Sequence, residues 1–561
     1  MVAEGYILVQ NGITPESRRG QRAGHARTGV VQEPGRPCHL RPELRSGGAA
    51  DLRRALSGRA WSDIGANNQA LSGIRGRRQR SPKRWVAGGR SAFVVPRSGG
   101  NQPHGTPRRE GKRHSMELLE GKMEGIPSPE TVSTKLQKLA ELAGKAPEMA
   151  FTSLNHYIDI DLLMEAYRRT RKDGAPGIDG QTAKEYEENL FENLNSLLDR
   201  FKSGTYKAPP VRRVYIPKGD GTKTRPIGIP TFEDKVLQRA VTMVLEAIYE
   251  QDFLGCSYGF RPCRSAHQAL EALWDQLMKM GGGWVLELDI QKFFDTLDHS
   301  HLRSFLDQRV RDGVIRRAID KWLKAGVMEE GAVRNLETGT PQGGVVSPIL
   351  ANLYLHEVLD VWFMRDVLPR LWGKAFLIRY ADDAVLVFAS ARDAKRAMEV
   401  LPKRFGRFGL TLHPEKTKLV DFKRPSNRRE GRESFDLLGF THLWGKSRKG
   451  RWIIQRKTAK DRFARALKRV VEWCKSHRHL PVRLQHQALC RKLMGHNQYY
   501  GITGNYRALS RFCWEVHKVW QKWLNSRSQR AKMTLECFNR LLQRYPLPKP
   551  RVAHSVYAAK P

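Results

Sequence analysis

The pattern of apolar and polar residues changes near residue 115. Before that point no amphipathic period lasts beyond a turn or two, which is typical of a chain with too little apolar surface to fold. Beyond it, apolar residues recur at helical spacing in segments 139–150 and 160–171, which predicts helices. Short apolar runs at 211–217 and 284–290 predict strands. We therefore expect mixed helix and strand from Met116 onward.

Segment 376–388 reads FLIRYADDAVLVF and carries the first candidate chemistry. Two apolar runs flank Asp382 and Asp383, which predicts a strand, a tight turn and a second strand. Adjacent carboxylates at such a tip suit Mg²⁺, which takes oxygen ligands and leaves room for substrate phosphates. A solvated turn is the alternative for this pair alone. Asp289, near the end of run 284–290, is predicted to face the pair, because a two-metal site draws carboxylates from separate elements.

A second hairpin is predicted at 211–230, VRRVYIPKGDGTKTRPIGIP, with strands 211–217 and 225–229 joined at 219–221. Its turn is flanked by three cations, Lys218, Lys223 and Arg225. These side chains suit a triphosphate, although a basic solvated hairpin has the same composition. Segment 339–353 is a glycine- and proline-rich loop that leads into a helix with proline in its first turn. Its glycines would let a planar ligand approach the backbone.

The charge of the chain favours a polyanionic partner. The sequence contains 98 Lys and Arg against 57 Asp and Glu, a formal net charge of +41. No stretch approaches the ~18–20 apolar residues of a membrane span, so we expect nucleic acid and no membrane. Residues 441–561 hold 28 Lys and Arg against 4 Asp and Glu, beside a nearly neutral centre. Apolar stripes at 463–474 and 509–523 predict two helices within this basic part.

Residues 1–115 are rich in arginine, glycine and serine, with 20 Arg among 22 basic residues. Three interpretations stay open: a disordered extension, an arginine-rich RNA-binding arm, and translated upstream sequence before a true start at Met116. We favour the last, because the composition changes abruptly at Met116.

Eight segments in order carry a resemblance to a known family over about residues 154–557. They read GAPGIDG, IPKGDGTKTRPIGIP, SYGFRPCRSAH, LDIQKFFDTLDH, GTPQGGVVSPILANL, YADD, GLTLHPEKTKL and LLGF. In this order the chain resembles the reverse transcriptases encoded by group II introns. The resemblance implies an α+β right-hand polymerase of fingers and palm, followed by an all-helical thumb or domain X. The implied divisions are 1–115 as the basic extension, 116–195 as an N-terminal fingers extension, 196–440 as fingers and palm, 441–545 as thumb or maturase domain X, and 546–561 as a C-terminal tail.

The resemblance also implies roles for individual residues. Catalysis would fall to Asp289, Asp382 and Asp383. Asp289 and Asp382 would hold two Mg²⁺ ions with the Ile290 carbonyl, and Asp383 would support this metal site. The implied nucleotide contacts are Lys218 and Arg225 on the triphosphate with Lys223 as a helper, Phe294 as a steric gate against a 2′-hydroxyl, and Gln342 beside the nucleotide. Either Lys416 or Lys418 would protonate the leaving pyrophosphate.

The implied function is RNA-directed DNA synthesis combined with maturase activity, the binding of intron RNA that promotes splicing and retromobility. Expected partners are group II intron RNA, an RNA template with a DNA primer, target DNA and deoxynucleoside triphosphates. We expect the short type without an H-N-H endonuclease domain, working in a bacterial cytoplasm and joining the nucleoid when it engages DNA. Alternatives are a splicing cofactor without polymerase activity, an RNA-dependent RNA polymerase and a domesticated reverse transcriptase. The sequence leaves monomer and homodimer open.

Overall fold

The computed structural model describes most of the chain beyond residue 128. The described residues are 129–218, 223–329, 332–334, 339–340, 343–426, 433–528, 530 and 533–555. The expectations for residues 1–115 lie outside this part, as do the turn 219–221 and Gln342. For Lys218 and Lys223 the backbone is described but the side chains are not.

The described chain is a mixture of helices and strands, as the sequence predicts. The helices are α1 Pro129–Lys145, α2 Ile160–Arg169, α3 Ala183–Glu188, α4 Leu190–Ser203, α5 Phe232–Asp252, α6 Ala266–Met280, α7 Phe293–Thr296, α8 His299–Arg309, α9 Gly313–Lys324, α10 Ser347–Leu355, α11 Ala391–Gly406, α12 Lys460–Ser476, α13 Val482–Tyr500, α14 Tyr506–Asn525 and α15 Leu535–Arg544. The strands are β1 Val211–Lys218, β2 Lys223–Ile229, β3 Trp284–Leu288, β4 Val327–Glu329, β5 Ala332–Arg334, β6 Ala375–Tyr380, β7 Asp383–Phe388, β8 Lys418–Asp421, β9 Phe435–Leu437, β10 Phe440–Lys446 and β11 Trp452–Thr458.

The helix predicted at 139–150 is displaced toward the N-terminus. Helix α1 runs Pro129–Lys145 and stops two residues before Pro147. Proline disfavours the helical conformation at the residue before it, so the apolar spacing that continues to residue 150 does not extend the helix. The helix predicted at 160–171 is present as Ile160–Arg169, with the Asp159 side chain accepting the Leu162 amide at its start.

The strands form three small sheets. The first has the order β2-β1-β4-β5, the second β6-β7-β3-β8 and the third β11-β10-β9. In the second sheet β3 is antiparallel to both β7 and β8, with Leu286 opposite Leu386 and Leu419. The chain therefore brings residues distant in sequence into adjacent strands.

The second sheet is buried on both faces. Leu286 and Leu386 belong to the large core shared with α5, α8 and α10. Val285, Val385 and Val387 point the other way, into a core completed by α6 and the third sheet. A sheet covered on both sides needs no polar face, which explains why residues 384–388 of β7 are all apolar.

The C-terminal helices have a core of their own. Trp520 on α14 is completely buried and packs edge-on against Phe538 of α15, while its indole N–H donates to Gln485 of α13 at 3.0 Å. Both helical stripes predicted at 463–474 and 509–523 lie within helices, α12 and α14. Among all helices of the described part, none has the length and apolar character needed to cross a membrane.

Candidate active site

Three predicted acidic residues lie at one end of the second sheet. Asp383 is the first residue of β7 and Asp289 follows β3, whose last residue, Leu288, lies opposite Ala384. The backbone of Asp289 is held by a hydrogen bond, in which its carbonyl accepts the His413 amide at 2.8 Å. Ile290 continues the same edge in a bridge to Leu412. The antiparallel register thus places Asp289 beside the turn that carries Asp382 and Asp383.

The turn between β6 and β7 has an unusual backbone. Ala381 has a φ of 57°, a left-handed conformation that residues other than glycine seldom adopt. It is 6 % exposed, so the turn is held by surrounding groups rather than by solvent. Asp382, the next residue, is half-buried, and its Oδ1 atom is shielded from solvent without a hydrogen-bond partner. Burial, and then the charge of Asp383, raises the pKa of Asp382 to about 7.

The oxygen atoms of Asp382, Asp289 and Ile290 suit a divalent cation. A buried carboxylate oxygen without a donor is costly, and a bound cation would satisfy it. Asp289 and the Ile290 carbonyl add oxygen ligands of the kind that Mg²⁺ takes. Within the part of the chain that the structure describes, however, no three His, Cys, Asp or Glu side chains converge closely enough to form a ready-made metal centre. Substrate phosphates would have to complete the coordination.

The structure separates the two candidate lysines. The Lys416 ammonium lies 3.1 Å from Oδ2 of Asp289. Lys418, on β8, instead lies 3.3 Å from Glu287, the residue opposite it in the β3–β8 register. Lys416 is the lysine that reaches the acidic site.

Phe294 lies in the short helix α7, beside the acidic end of the sheet. It is 6 % exposed and packs edge-on against Phe293, with the ring centroids 5.4 Å apart. Phe293 is also buried, so both rings contribute to the core. The Phe294 carbonyl accepts the Thr340 amide at 2.8 Å, which joins α7 to the loop before α10.

The first hairpin directs a cation toward the same region. Arg225 on β2 is half-buried. Burial raises the pKa of Asp295, and the charges of Arg213, Lys292 and Arg225 partly oppose this rise. Arg225 acts in the same sense on the pKa of Asp382. Lys218 and Lys223 are paired at the tip of the hairpin. Gly343 of the second glycine loop, with a φ of 121°, packs directly onto the carbonyl of Gly228 in β2. That close approach is made to the hairpin backbone.

Sequence reasoning missed a buried polar network behind the turn. Arg379 on β6 pairs with Asp360, and both side chains are completely buried. Asn352 on α10 contacts the same guanidinium at 2.9 Å. One signal was available: an arginine in the middle of an apolar strand must find an acidic partner, because an unpaired charge is rarely buried.

Comparison with known proteins decides the family. The family model described as Reverse transcriptase (RNA-dependent DNA polymerase) matches residues 216–442, which include most of the first hairpin and the acidic turn. Protein YkfC of Escherichia coli K12 is 36% identical over 322 residues, which is 51% of this chain and 84% of YkfC. The group II intron-encoded protein LtrA of Lactococcus lactis is 38% identical over 227 residues, 40% of this chain and 37% of LtrA.

The chain belongs to the group II intron reverse transcriptases. Its matched domain is that of an RNA-directed DNA polymerase. A nuclear intron maturase of Arabidopsis thaliana is a more distant relative, 29% identical over 279 residues, 40% of this chain and 37% of the maturase. The chain therefore spans most of one bacterial relative but little more than a third of the intron-encoded protein and of the plant maturase.

Proposed function

We propose that this reverse transcriptase extends a DNA primer on an RNA template by two-metal nucleotidyl transfer. The observation that carries the proposal is the position of Asp289 and the Asp382–Asp383 turn at the same sheet end, with an unsatisfied carboxylate oxygen on Asp382. Asp289, the Ile290 carbonyl and Asp382 would hold two Mg²⁺ ions, which supply charge stabilisation to the primer 3′-oxygen and the leaving pyrophosphate. Asp383 would support this arrangement from the first position of β7.

The protein's own groups position the substrates and move the proton. Arg225, with Lys218 and Lys223 at the tip of its hairpin, would bind the triphosphate of the incoming deoxynucleotide. Phe294 would lie under its sugar and exclude a 2′-hydroxyl, and Gln342 would pack beside the nucleotide. When the primer 3′-hydroxyl attacks the α-phosphate, the bond to pyrophosphate breaks, and Lys416 would donate the proton that the leaving group accepts.

The domain divisions expected from the sequence are part of the same proposal. Residues 116–195 and 196–440 would form fingers and palm, and residues 441–545 a helical thumb or domain X. The last unit is suited to structured RNA, which is bound through phosphate contacts and shape. Exposed aromatic rings lie among its cations; the Lys518 ammonium, for example, is 4.0 Å from the ring centre of Trp514. We therefore include intron RNA binding, splicing assistance and retromobility in the proposed function, with action on target DNA at the bacterial nucleoid.

Primer extension tests the polymerase assignment. With an RNA template, deoxynucleotides and Mg²⁺, the Asp382→Ala variant should lose extension by about a thousandfold or more, since each transition-state interaction of this kind contributes several kcal/mol. Asp421→Ala is the matched control, because Asp421 lies opposite Trp284 at the other end of the same sheet. Normal extension by Asp382→Ala would refute the assignment.

A splicing cofactor without polymerase activity is the second candidate, favoured by the similarity to the plant protein named as an intron maturase. The two candidates separate cleanly. If the protein is only a splicing cofactor, the parent and the Asp382→Ala variant should promote intron splicing equally well, and neither should extend a primer.

A further inference from the structure

The left-handed residue of the acidic turn, Ala381, is held by the Arg379 side chain and by the backbone of Gly259. The Arg379 guanidinium donates to the Ala381 carbonyl at 3.1 Å and to Asn352 Oδ1 at 2.9 Å. Its remaining nitrogens form a bidentate pair with Asp360, at 2.8 and 2.6 Å. The pair is buried and makes two parallel hydrogen bonds, a geometry that fixes the orientation of an arginine. The position of the Ala381 carbonyl is thereby tied to the helical segment that carries Asn352 and Asp360.

A second contact holds the other side of the same turn. Segment 256–259 runs beside β6, with the Tyr258 amide donating to the Arg379 carbonyl at 2.9 Å. Gly259 then packs against the backbone of Ala381, so closely that a Cβ atom there would overlap the Ala381 nitrogen. Asn352 joins the two contacts, because its Nδ2 donates to the Gly259 carbonyl at 2.7 Å while its Oδ1 accepts from Arg379.

We propose that Asn352, Gly259 and the Arg379–Asp360 pair are positioning residues that set where the Asp382 carboxylate lies. None of them touches a substrate in the proposed reaction; they act through the backbone of Ala381, one residue before Asp382. A left-handed alanine would relax toward ordinary backbone angles without these contacts. Relaxation would rotate the next peptide and move the carboxylate away from the Asp289 side. The inference rests on the proposed role of Asp382 in holding the metal ions.

Two variants disturb the turn in different ways. Asn352→Ala removes the bridge between Arg379 and Gly259, and Gly259→Ala pushes the turn by added volume without removing any polar group. Substitution of Arg379 or Asp360 would leave a buried charge unpaired and would test folding instead. Two controls are matched to these changes. Gly406→Ala adds the same Cβ where no atom lies within 4 Å, and Asp252→Asn weakens a different buried ion pair, with Arg309 at 2.9 Å.

The experiment combines a kinetic and a binding measurement on the full chain. Single-nucleotide addition is followed on an RNA template with a DNA primer, and Mn²⁺ binding is followed by EPR with a chain-terminated primer and a deoxynucleotide. Both test variants should slow addition by about tenfold or more, since a misplacement near 1 Å costs about a hundredfold. They should also weaken Mn²⁺ binding, while the primer–template Kd stays unchanged and both controls behave as the parent.

The outcomes distinguish this inference from the proposed function. If the parent extends primers and Asp382→Ala does not, but Asn352→Ala and Gly259→Ala match the controls in rate and Mn²⁺ affinity, the positioning role is wrong. It is also wrong if their loss of rate only tracks their loss of melting temperature, as judged against Asp252→Asn. If the parent shows neither extension nor Asp382-dependent Mn²⁺ binding, the proposed function fails and the positioning role fails with it.

Discussion

At the level of single residues, Lys416 and Lys418 are two positions apart but contact different acidic partners. The sequence offers no basis for choosing between them, since both lie in the same basic segment. The choice depends on the β3–β8 register, which pairs Lys418 with Glu287 and leaves Lys416 to reach Asp289. Register across distant strands is decided by packing on both faces, which local sequence does not display.

This difference predicts unequal effects of equal substitutions. Lys416→Ala should slow nucleotide addition by about a hundredfold if Lys416 supplies a proton to pyrophosphate, the usual contribution of general acid catalysis. Lys418→Ala should leave the rate near that of the parent, although both side chains are similarly exposed. Rapid-quench measurement of single additions checks the pair. Lys416→Arg keeps the charge but cannot release a proton near neutral pH, so full activity in that variant would contradict the acid role.

Phe294 and Phe293 make a second matched pair. Both rings are buried, yet only Phe294 occupies the position assigned to the gate. Phe294→Val should reduce the preference for deoxynucleotides over ribonucleotides by about tenfold or more, because a smaller side chain leaves space for the 2′-hydroxyl. Phe293→Val should lower stability without changing the preference. Incorporation of both nucleotide types opposite one template base measures the ratio, and equal ratios in the two variants would exclude the gate.

At the scale of elements, sequence patterns predict type better than position. The apolar run of β7 and the stripe of α14 are predicted correctly, because burial on two faces and on one face leave distinct periods. The end of α1 is misplaced by five residues, since a proline rather than the apolar spacing decides where it stops. The Arg379–Asp360 pair could not be predicted from local sequence, because its partners are 19 residues apart in separate elements. It forms only when β6 packs against the helical segment that follows α10.

The C-terminal helices provide a test at this scale. Trp520→Ala should cost about 3–5 kcal/mol of unfolding free energy, because it empties the centre of the helical core and leaves Gln485 without its donor. Trp514→Ala, on the same helix but 58% exposed, should change stability by less than about 0.5 kcal/mol. Trp514→Ala should instead weaken binding of intron RNA. Urea unfolding and filter binding separate the two effects, and equal destabilisation would contradict the packing described.

At the scale of the whole molecule, the C-terminal segment, residues 549–555, contacts both the C-terminal helices α12–α15 and helix α6, which packs against the second sheet. The Gly501 carbonyl accepts the amides of Ala553 and His554, and the Lys549 carbonyl accepts from Asn497 at 3.1 Å. His554 also stacks on His267 of α6, with the ring centres 3.6 Å apart. The segment thus contacts both the helices that follow residue 460 and the helix that supports the second sheet.

Removal of residues 549–561 should therefore loosen the C-terminal helices. Loss of these hydrogen bonds should cost at least about 1 kcal/mol, seen as a lower melting temperature and as faster limited proteolysis between α12 and α13. Processivity on long RNA templates should fall more than the rate of a single addition. A shorter truncation that removes only residues 556–561 keeps every contact named above and serves as the control. An unchanged melting temperature in the longer truncation would show that the segment does not stabilise the C-terminal helices.

The second sheet, enclosed by a core on each face, also has a consequence for how this enzyme can vary. Residues on both sides of β3 and β7 are confined by packing, so a saturation library across these strands should contain almost no active polar variants. Variation would be accepted at exposed positions away from the proposed nucleotide site, such as the outer surface of the C-terminal helices. Selection for new templates or for heat resistance would therefore act around a sheet that itself scarcely changes.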